Sequence, residues 1–179
     1  MSPTKAETLL ALHAGPGFVI PNAWDAGSAV VFERLGFPAI ATTSAGIAWS
    51  LGSQVGGPMT AAENLHGIAR IARAVDAPVS ADIEDGYGDT PEEVGLTVEH
   101  LAEIGVVGAN IEDAVDEVLY AEDEAAGRIA AARAAAPVGT FVLNARTDTY
   151  LTAPGEDPFD ETVARALLYL EAGTRPFRR

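Results

Sequence analysis

The sequence contains no cysteine among its 179 residues. This absence excludes disulfide bonds, thiolate metal sites and catalysis by a cysteine nucleophile or a cysteine general acid. It says nothing about the cellular compartment, because reduced and oxidising compartments both hold proteins without cysteine.

Positive charge is also scarce, since 11 Lys and Arg stand against 26 Asp and Glu, for a formal net charge of −15. This excess argues against nucleic acid and against anionic membranes as partners. No apolar run is long enough to cross a bilayer, and residues 1–8 lack the apolar segment of a signal peptide. We therefore expect a cytoplasmic protein, in which an anionic substrate would need a bound metal or an arginine nearby.

Hydrophobic residues make up 48% of the chain, which is enough for an ordered core in a single domain over residues 1–179. Short apolar strands are predicted at 18–21, 39–43, around Asp82, at 106–112 and at 141–146, and helices lie between them. This alternation is typical of parallel α/β architecture. A doubly wound open sheet and a (β/α)8 barrel both remain possible, and five visible units on their own fit the open sheet better. The dinucleotide-binding glycine pattern is absent after the first strand.

The segment from Pro78 to Gly88 organises the rest of the sequence. Asp82 and Glu84 are two residues apart in a strand, so we expect their side chains on one face. Glycines at 86 and 88 then end the strand. Two neighbouring carboxylates repel each other unless a cation or a shared proton compensates them, and their hard oxygens suit Mg²⁺ or Mn²⁺. The alternative is that both acids lie in solvent.

Each of the five predicted strands carries polar residues near its carboxyl end, where active sites of parallel barrels are built. Residues two apart share a face, whereas Ala41, Ile83, Ile111 and Ala145 are expected to face the helices. The polar residues are Asn22, Thr42, Ser44, Asp82, Glu84, Asn110, Glu112, Asn144, Arg146 and Asp148. Because parallel strands are normally covered on both faces, five such strands predict a functional site.

Four of these motifs together resemble the isocitrate lyase/phosphoenolpyruvate mutase superfamily. They are Ser44-Ala45-Gly46, the segment Asp82 to Gly88, Asn110-Ile111-Glu112-Asp113 and Asn144-Ala145-Arg146-Thr147-Asp148. The resemblance implies a (β/α)8 barrel, of which this chain holds about the first five strand–helix units. It also implies an enzyme that cleaves or rearranges a C–C or C–P bond of a small 2-oxo acid or related carboxylate through an enolate-like intermediate.

The resemblance implies a role for individual acids. Asp82 matches the direct metal ligand of the family, and Glu84 and Glu112 match acids that hold Mg²⁺ or Mn²⁺, often through water. The metal would polarise a 2-oxo group of the substrate. From its composition, the acidic segment from Asp113 to Glu124 is expected to be a solvated loop or a mobile lid.

The resemblance also implies the substrate contacts, which are Ser44, Ala45, Gly46, Asn144 and Arg146. The planar guanidinium of Arg146 suits a carboxylate, and Arg146 and Glu112 are the expected catalytic residues. The alternative for Arg146 is an ion pair with Glu112 or Asp82 that only balances charge. Full-length members form homo-oligomers, which is doubtful for this chain.

The sequence departs from the family in three places. Val55 stands where an outer acid of the metal site or its gate is often found. The segment after the fourth strand lacks the Lys/Cys/Gly/His loop of isocitrate and methylisocitrate lyases. The basic residues 174–179 stand where a sixth strand is expected, which suggests a truncated or frameshifted reading frame.

A truncated barrel changes the expected function. We expect such a chain to be inactive or nearly so, and to be poorly soluble or oligomeric, because open sheet edges aggregate. A non-catalytic relative and an open-sheet domain that binds an anionic ligand are the alternative functions.

The absent thiol leads to a prediction about substrates. Because no cysteine can act as the general acid, a full-length form should not cleave isocitrate or methylisocitrate. Oxaloacetate, phosphonopyruvate or another 2-oxo acid derivative is the expected substrate. A panel of these compounds assayed with Mg²⁺ checks this, and robust isocitrate cleavage would contradict it.

Overall fold

The computed structural model describes residues 3–53, 59–136, 139–153, 155 and 157–174. Five of its strands form one parallel sheet: β1 (Asn22–Ala23), β2 (Ile40–Thr42), β3 (Val79–Asp82), β4 (Gly108–Glu112) and β7 (Val142–Arg146). Strands β5 (Ala114–Val115) and β6 (Val118–Leu119) pair as a small antiparallel hairpin.

Helices separate the strands along the chain. They are α1 (Lys5–His13), α2 (Ala26–Arg34), α3 (Ser44–Ser50), α4 (Ala61–Ala74), α5 (Pro91–Glu103), α6 (Glu122–Ala135), α7 (Thr149–Thr152) and α8 (Phe159–Tyr169), with a π-helical turn over Leu170–Thr174. Thr60 and Thr90 each form a capping box with the glutamate three residues on, and Asp25 caps α2 by accepting a hydrogen bond from the Ser28 backbone N–H. The structure therefore confirms the helix starts that these capping residues predict.

The strand order distinguishes the barrel from the open sheet. The large sheet runs β1-β2-β3-β4-β7, so each new strand is added on the same side of the preceding one. A doubly wound sheet reverses direction at a switch point, and the order observed here has none. Right-handed crossovers in one direction place the helices on a single face of the sheet, as in a barrel. The fold is therefore part of a (β/α) barrel, as the resemblance implied.

The two faces of the sheet differ in polarity. The outer face carries apolar side chains that are buried against the helices, including Val79, Ala81, Ile111 and Leu143. Ile68, Ile71, Val94, Val98, Leu101 and Ile129 of the helices complete this core. The inner face borders a cavity of about 360 Å³ lined by polar residues such as Ser80, Asp82, Asn110 and Asn144. The apolar core thus packs against the outer face of the sheet. The inner face of the sheet is available for a site.

Several predicted boundaries differ from the structure. The first strand begins at Asn22 rather than within 18–21, although the Pro21 carbonyl still accepts a hydrogen bond from the Ala41 N–H. Residues 44–50 form helix α3, which was not predicted. The sequence after Asp113 contains the β5–β6 hairpin. Val55 and residues 175–179 lie outside the described residues. Within the described part, no helix is long and apolar enough to span a membrane.

The register of β2 reverses one prediction. Ala41 pairs with Asn22 and Ser80, so it lies on the inner face, while Thr42 pairs with Ala23 on the outer face. Thr42 is 1% exposed. Its hydroxyl accepts a hydrogen bond from the Asp82 backbone N–H at 2.9 Å. The expectation that Thr42 faces the site and Ala41 faces the helices is therefore wrong.

The segment after β3 is a tight turn rather than a continued strand. Glu84 and Tyr87 have positive φ angles of 50° and 59°, and Gly86 has a φ of 98°. The Asn64 side-chain amide donates hydrogen bonds to the Asp82 carbonyl oxygen and to the Tyr87 hydroxyl. Strand β3 ends at Asp82, but the Ile83 N–H still donates to the Asn110 carbonyl, and the Glu112 N–H donates to the Glu84 carbonyl.

Packing under this turn gives a stability prediction. A Cβ on Gly86 would lie 2.7 Å from Val94 Cγ1, whereas a Cβ on Gly105, with a similar φ of 87°, meets nothing within 4 Å. Gly105→Ala should cost about 1 kcal/mol through backbone strain alone. Gly86→Ala should cost roughly 1–3 kcal/mol more, because it also overpacks the core. Urea unfolding measures both, and equal losses would contradict the packing argument.

Candidate functional site

The sheet register aligns the polar side chains of the inner face in successive rows. Asp82, Asn110 and Asn144 are direct neighbours on β3, β4 and β7. Glu112 and Arg146 form the next row toward the carboxyl edge. Polar residues that are distant in sequence therefore meet at one edge, where parallel barrels bind their ligands.

Asp82 is fixed by the start of α3. Its Oδ2 accepts hydrogen bonds from the Ser44 backbone N–H at 3.0 Å and from the Ser44 hydroxyl at 2.9 Å. Its other oxygen, Oδ1, is buried and has no hydrogen-bond partner in the described residues. Buried carboxylate oxygens are normally satisfied, so this atom has room in its bonding for a water or a cation.

Arg146 is held between two carboxylates. Its Nη1 donates to Glu112 Oε1 at 2.5 Å. Its Nε and Nη2 donate to the two oxygens of Asp148 at 2.6 and 3.0 Å. Of the two partners considered for a charge-balancing pair, Glu112 is the one that the structure shows. The forked bond to Asp148 was not expected.

Burial and neighbouring acids raise the pKa of two glutamates at this edge, Glu84 and Glu112. Burial is the main cause that raises the pKa of Glu112 to about 7; the Arg146 charge opposes it, while Asp82, Asp148 and Glu84 add to it. Burial also raises the pKa of Glu84, and Asp82 and Asp85 contribute. Asp82, Glu84 and Glu112 are thus close enough to interact electrostatically, and negative charge is in excess at this edge.

The donors fit a hard divalent cation. Carboxylate oxygens are the ligands that Mg²⁺ prefers, and it usually keeps several waters while binding one or two carboxylates. The unpartnered Oδ1 of Asp82 offers a direct ligand. In the described ranges, no group of three or more Asp, Glu or His side chains converges on one point.

The expected substrate contacts are partly engaged within the protein. The Gly46 N–H donates to the Thr43 hydroxyl, and the Ser44 N–H donates to Asp82. A Cβ on Gly46 would lie 2.6 Å from Thr43 Cγ2 and 2.9 Å from Trp24 Cβ, so close packing requires glycine there. Asn144 is exposed on the inner face and donates to Asn110 Oδ1. Substrate binding by these residues and by Ala45 stays a prediction.

Asp113 is a residue whose position was wrongly predicted. It was expected in a solvated loop, but it is only 3% exposed. Its Oδ1 accepts a hydrogen bond from the Asp148 backbone N–H, and its Oδ2 accepts one from the Tyr169 hydroxyl. Its burial depends on Tyr169, which is 56 residues further along the chain, so no local sequence signal indicated it.

Comparison with known proteins agrees with this geometry. The profile of the phosphoenolpyruvate phosphomutase family matches residues 9–176. An uncharacterised protein of Mycobacterium tuberculosis is 39% identical over 161 residues, which are 90% of this chain and 60% of that protein. The chain therefore belongs to the phosphoenolpyruvate phosphomutase family, within the PEP mutase/isocitrate lyase superfamily. It spans about 60% of the length of this relative.

Solved structures of related proteins also match the fold of this chain. A 2,3-dimethylmalate lyase of the PEP mutase/isocitrate lyase superfamily has a TM-score of 0.83 at 33% identity, over 97% of this chain and 61% of that one. A phosphonopyruvate hydrolase in complex with oxalate and Mg²⁺ has a TM-score of 0.86 at 28% identity, over 96% of this chain and 61% of that one. The family contains lyases and phosphonomutases.

The raised pKa of Glu112 leads to a pH prediction for the metal-free protein. Between the ordinary pKa of 4.5 and the folded value of about 7, the unfolded chain ionises Glu112 while the folded chain keeps the proton. The contribution of Glu112 to stability is therefore present below pH 4.5 and is lost as the pH rises to 7.

Glu112→Gln removes this titration. Relative to wild type, the variant should gain on the order of 2 kcal/mol in unfolding free energy between pH 4.5 and 7.5. Urea unfolding with EDTA at both pH values measures this, with Glu99→Gln on the exposed surface of α5 as the matched control. A difference between Glu112→Gln and wild type that does not change with pH would contradict the assignment.

Proposed function

We propose that this chain carries the active-site edge of a magnesium-dependent enzyme that acts on a C–C or C–P bond of a small 2-oxo acid or related carboxylate, through an enolate-like intermediate. The observation that carries the proposal is Asp82, whose buried Oδ1 lacks a partner in the described residues while Ser44 fixes its other oxygen. Family membership supports the reaction class.

Asp82 would hold Mg²⁺ directly, and Glu84 and Glu112 would hold it through water. When bound, the ion would supply positive charge next to the 2-oxo group of the substrate. Ser44 restricts Asp82 to one orientation by donating two hydrogen bonds to the same oxygen. The orientation of Oδ1 is therefore fixed before the ion binds, so little side-chain entropy would be lost on binding.

Arg146 would bind the carboxylate of the substrate. A guanidinium has five N–H donors, and the bonds to Glu112 and Asp148 use three of them. One N–H of Nη1 and one of Nη2 remain. These donors would let Arg146 bind the substrate carboxylate without releasing Asp148.

Glu112 links the two parts of the site. Its negative charge would attract the metal ion. On the substrate side, its Oε1 accepts a hydrogen bond from Arg146. Because burial and nearby acids raise its pKa to about 7, its carboxyl group can hold or release a proton near neutral pH. We propose that Glu112 and Arg146 are the catalytic residues, with Asn144 as a neighbouring substrate contact.

Oxalate is the probe that tests the proposal. Its two adjacent carboxylates have the shape and charge of the enolate of a 2-oxo acid, and the related phosphonopyruvate hydrolase was crystallised with oxalate and Mg²⁺. We expect the chain to bind Mg²⁺ first and oxalate in its presence. The bond that is broken differs among relatives, so oxalate tests the shared chemistry rather than one substrate.

The prediction is that Mg²⁺ stabilises the wild-type protein and not Asp82→Ala. At a concentration about one hundred times Kd, a ligand specific for the folded state adds about 2.7 kcal/mol, or roughly 5–10 °C in Tm for a chain of this size. Melting curves and titration calorimetry measure the effect, with oxalate added as a second step.

Asp76→Ala is the matched control, because Asp76 is an exposed aspartate remote from the site. It should respond to Mg²⁺ as wild type does. Equal metal responses in Asp82→Ala and wild type would overturn the metal assignment. Binding of Mg²⁺ and oxalate without turnover of any 2-oxo acid would instead favour a non-catalytic member of the family.

A further inference from the structure

A buried polar cluster lies behind the site, on the side away from the inner cavity. Its members are Asp113, Arg165, Tyr169 and the backbone N–H of Asp148, and we call it the Asp113 cluster. The side chains of Asp113, Arg165 and Tyr169 are 3%, 5% and 2% exposed. Such groups are costly to bury unless each has a partner.

The hydrogen bonds of Asp113 reach three parts of the fold. Its Oδ2 accepts hydrogen bonds from the Tyr169 hydroxyl at 2.6 Å and from Arg165 Nη1 at 3.5 Å, both on α8. Its Oδ1 accepts one from the Asp148 N–H at 2.8 Å. Its backbone carbonyl accepts one from the Tyr120 N–H, after the β5–β6 hairpin. Helix α8 thereby fixes the position of Asp113, and Asp113 fixes the backbone of Asp148.

Asp148 transmits this constraint to the active-site arginine. It stands at the N-cap position of α7, but its side chain forms no capping hydrogen bond. Both of its oxygens accept from Arg146 instead. An N-cap aspartate ordinarily bonds to the helix N–H groups, so its orientation toward Arg146 requires another restraint. The hydrogen bond from its N–H to Asp113 is a restraint of this kind.

We propose that Asp113, held by Tyr169 and Arg165, is a positioning residue that sets the orientation of the Arg146 guanidinium through Asp148. Asp113 also follows Glu112 directly in the chain. Its consequence for ligand binding rests on the proposed function, in which Arg146 binds a carboxylate. A cluster that only fastened α8 to the sheet would leave Arg146 unaffected.

The test uses Tyr169→Phe, which removes one hydroxyl and keeps the ring that packs in the core. Tyr150→Phe is the matched control, because the Tyr150 hydroxyl also donates to an aspartate, Asp157, but at the exposed surface. Three quantities are measured on the full chain: the Kd of Mg²⁺, the Kd of oxalate with Mg²⁺, and the solvent-exchange rate of the Arg146 Nε–H by NMR.

For Tyr169→Phe, we expect oxalate to bind about fivefold more weakly, as is typical for the loss of one buried hydrogen bond. The Arg146 Nε–H should exchange faster, and the Kd of Mg²⁺ should stay the same. Tyr150→Phe should change none of the three. Asp113→Ala should enlarge the loss, whereas Asp113→Asn, which keeps an oxygen acceptor for the Asp148 N–H, should restore part of it.

Two results would overturn the proposal. Unchanged oxalate affinity and unchanged Nε–H exchange in Tyr169→Phe would show that Arg146 is independent of the cluster. Equal weakening of Mg²⁺ and oxalate would show a general loss of structure. If wild type binds no oxalate but Tyr169→Phe still accelerates Nε–H exchange, the positioning role holds while the proposed function fails.

Discussion

Repulsion among carboxylates at the carboxyl edge of the sheet is the constraint on which this site depends. Asp82, Glu84 and Glu112 interact unfavourably with each other, and Arg146 is the cation that contacts Glu112 and Asp148 there. A chain of net charge −15 has little positive charge elsewhere to compensate. The hydrogen bonds from Ser44 to Asp82 and the forked bond from Arg146 to Asp148 hold the acids where such repulsion would otherwise separate them.

The periodicity of the strands predicted part of this arrangement correctly. Asn110 with Glu112 and Asn144 with Arg146 share the inner face, because β4 and β7 are five residues long and keep a regular alternation. Strand β2 is three residues long, and its register is set by pairing with its neighbours. A pattern so short cannot say which of Ala41 and Thr42 faces inward, and the prediction failed there.

The sequence predicted interactions between nearby residues better than interactions between distant ones. Helix starts at Thr60 and Thr90 could be predicted because the capping partners lie three residues apart. Asp113 could not be predicted to be buried, because its partner Tyr169 is 56 residues further along the chain. An acidic segment ordinarily indicates a solvated loop, and only the tertiary fold supplies the donors that make burial of Asp113 possible.

The pairing of Arg146 with two acids bears on whether it can still bind a substrate. A guanidinium that is free in solvent must lose rotamer freedom before it can grip a carboxylate. In this structure Asp148 holds the Nε and Nη2 edge, and Glu112 takes one hydrogen of Nη1. One N–H of Nη1 and one of Nη2 remain, so the ion pairs leave two donors on Arg146 without a partner among these acids. Negative charge around Arg146 would still disfavour an anionic ligand, and a cation at Asp82 would offset that repulsion. Under the proposed function, these charges favour binding of the metal before the substrate.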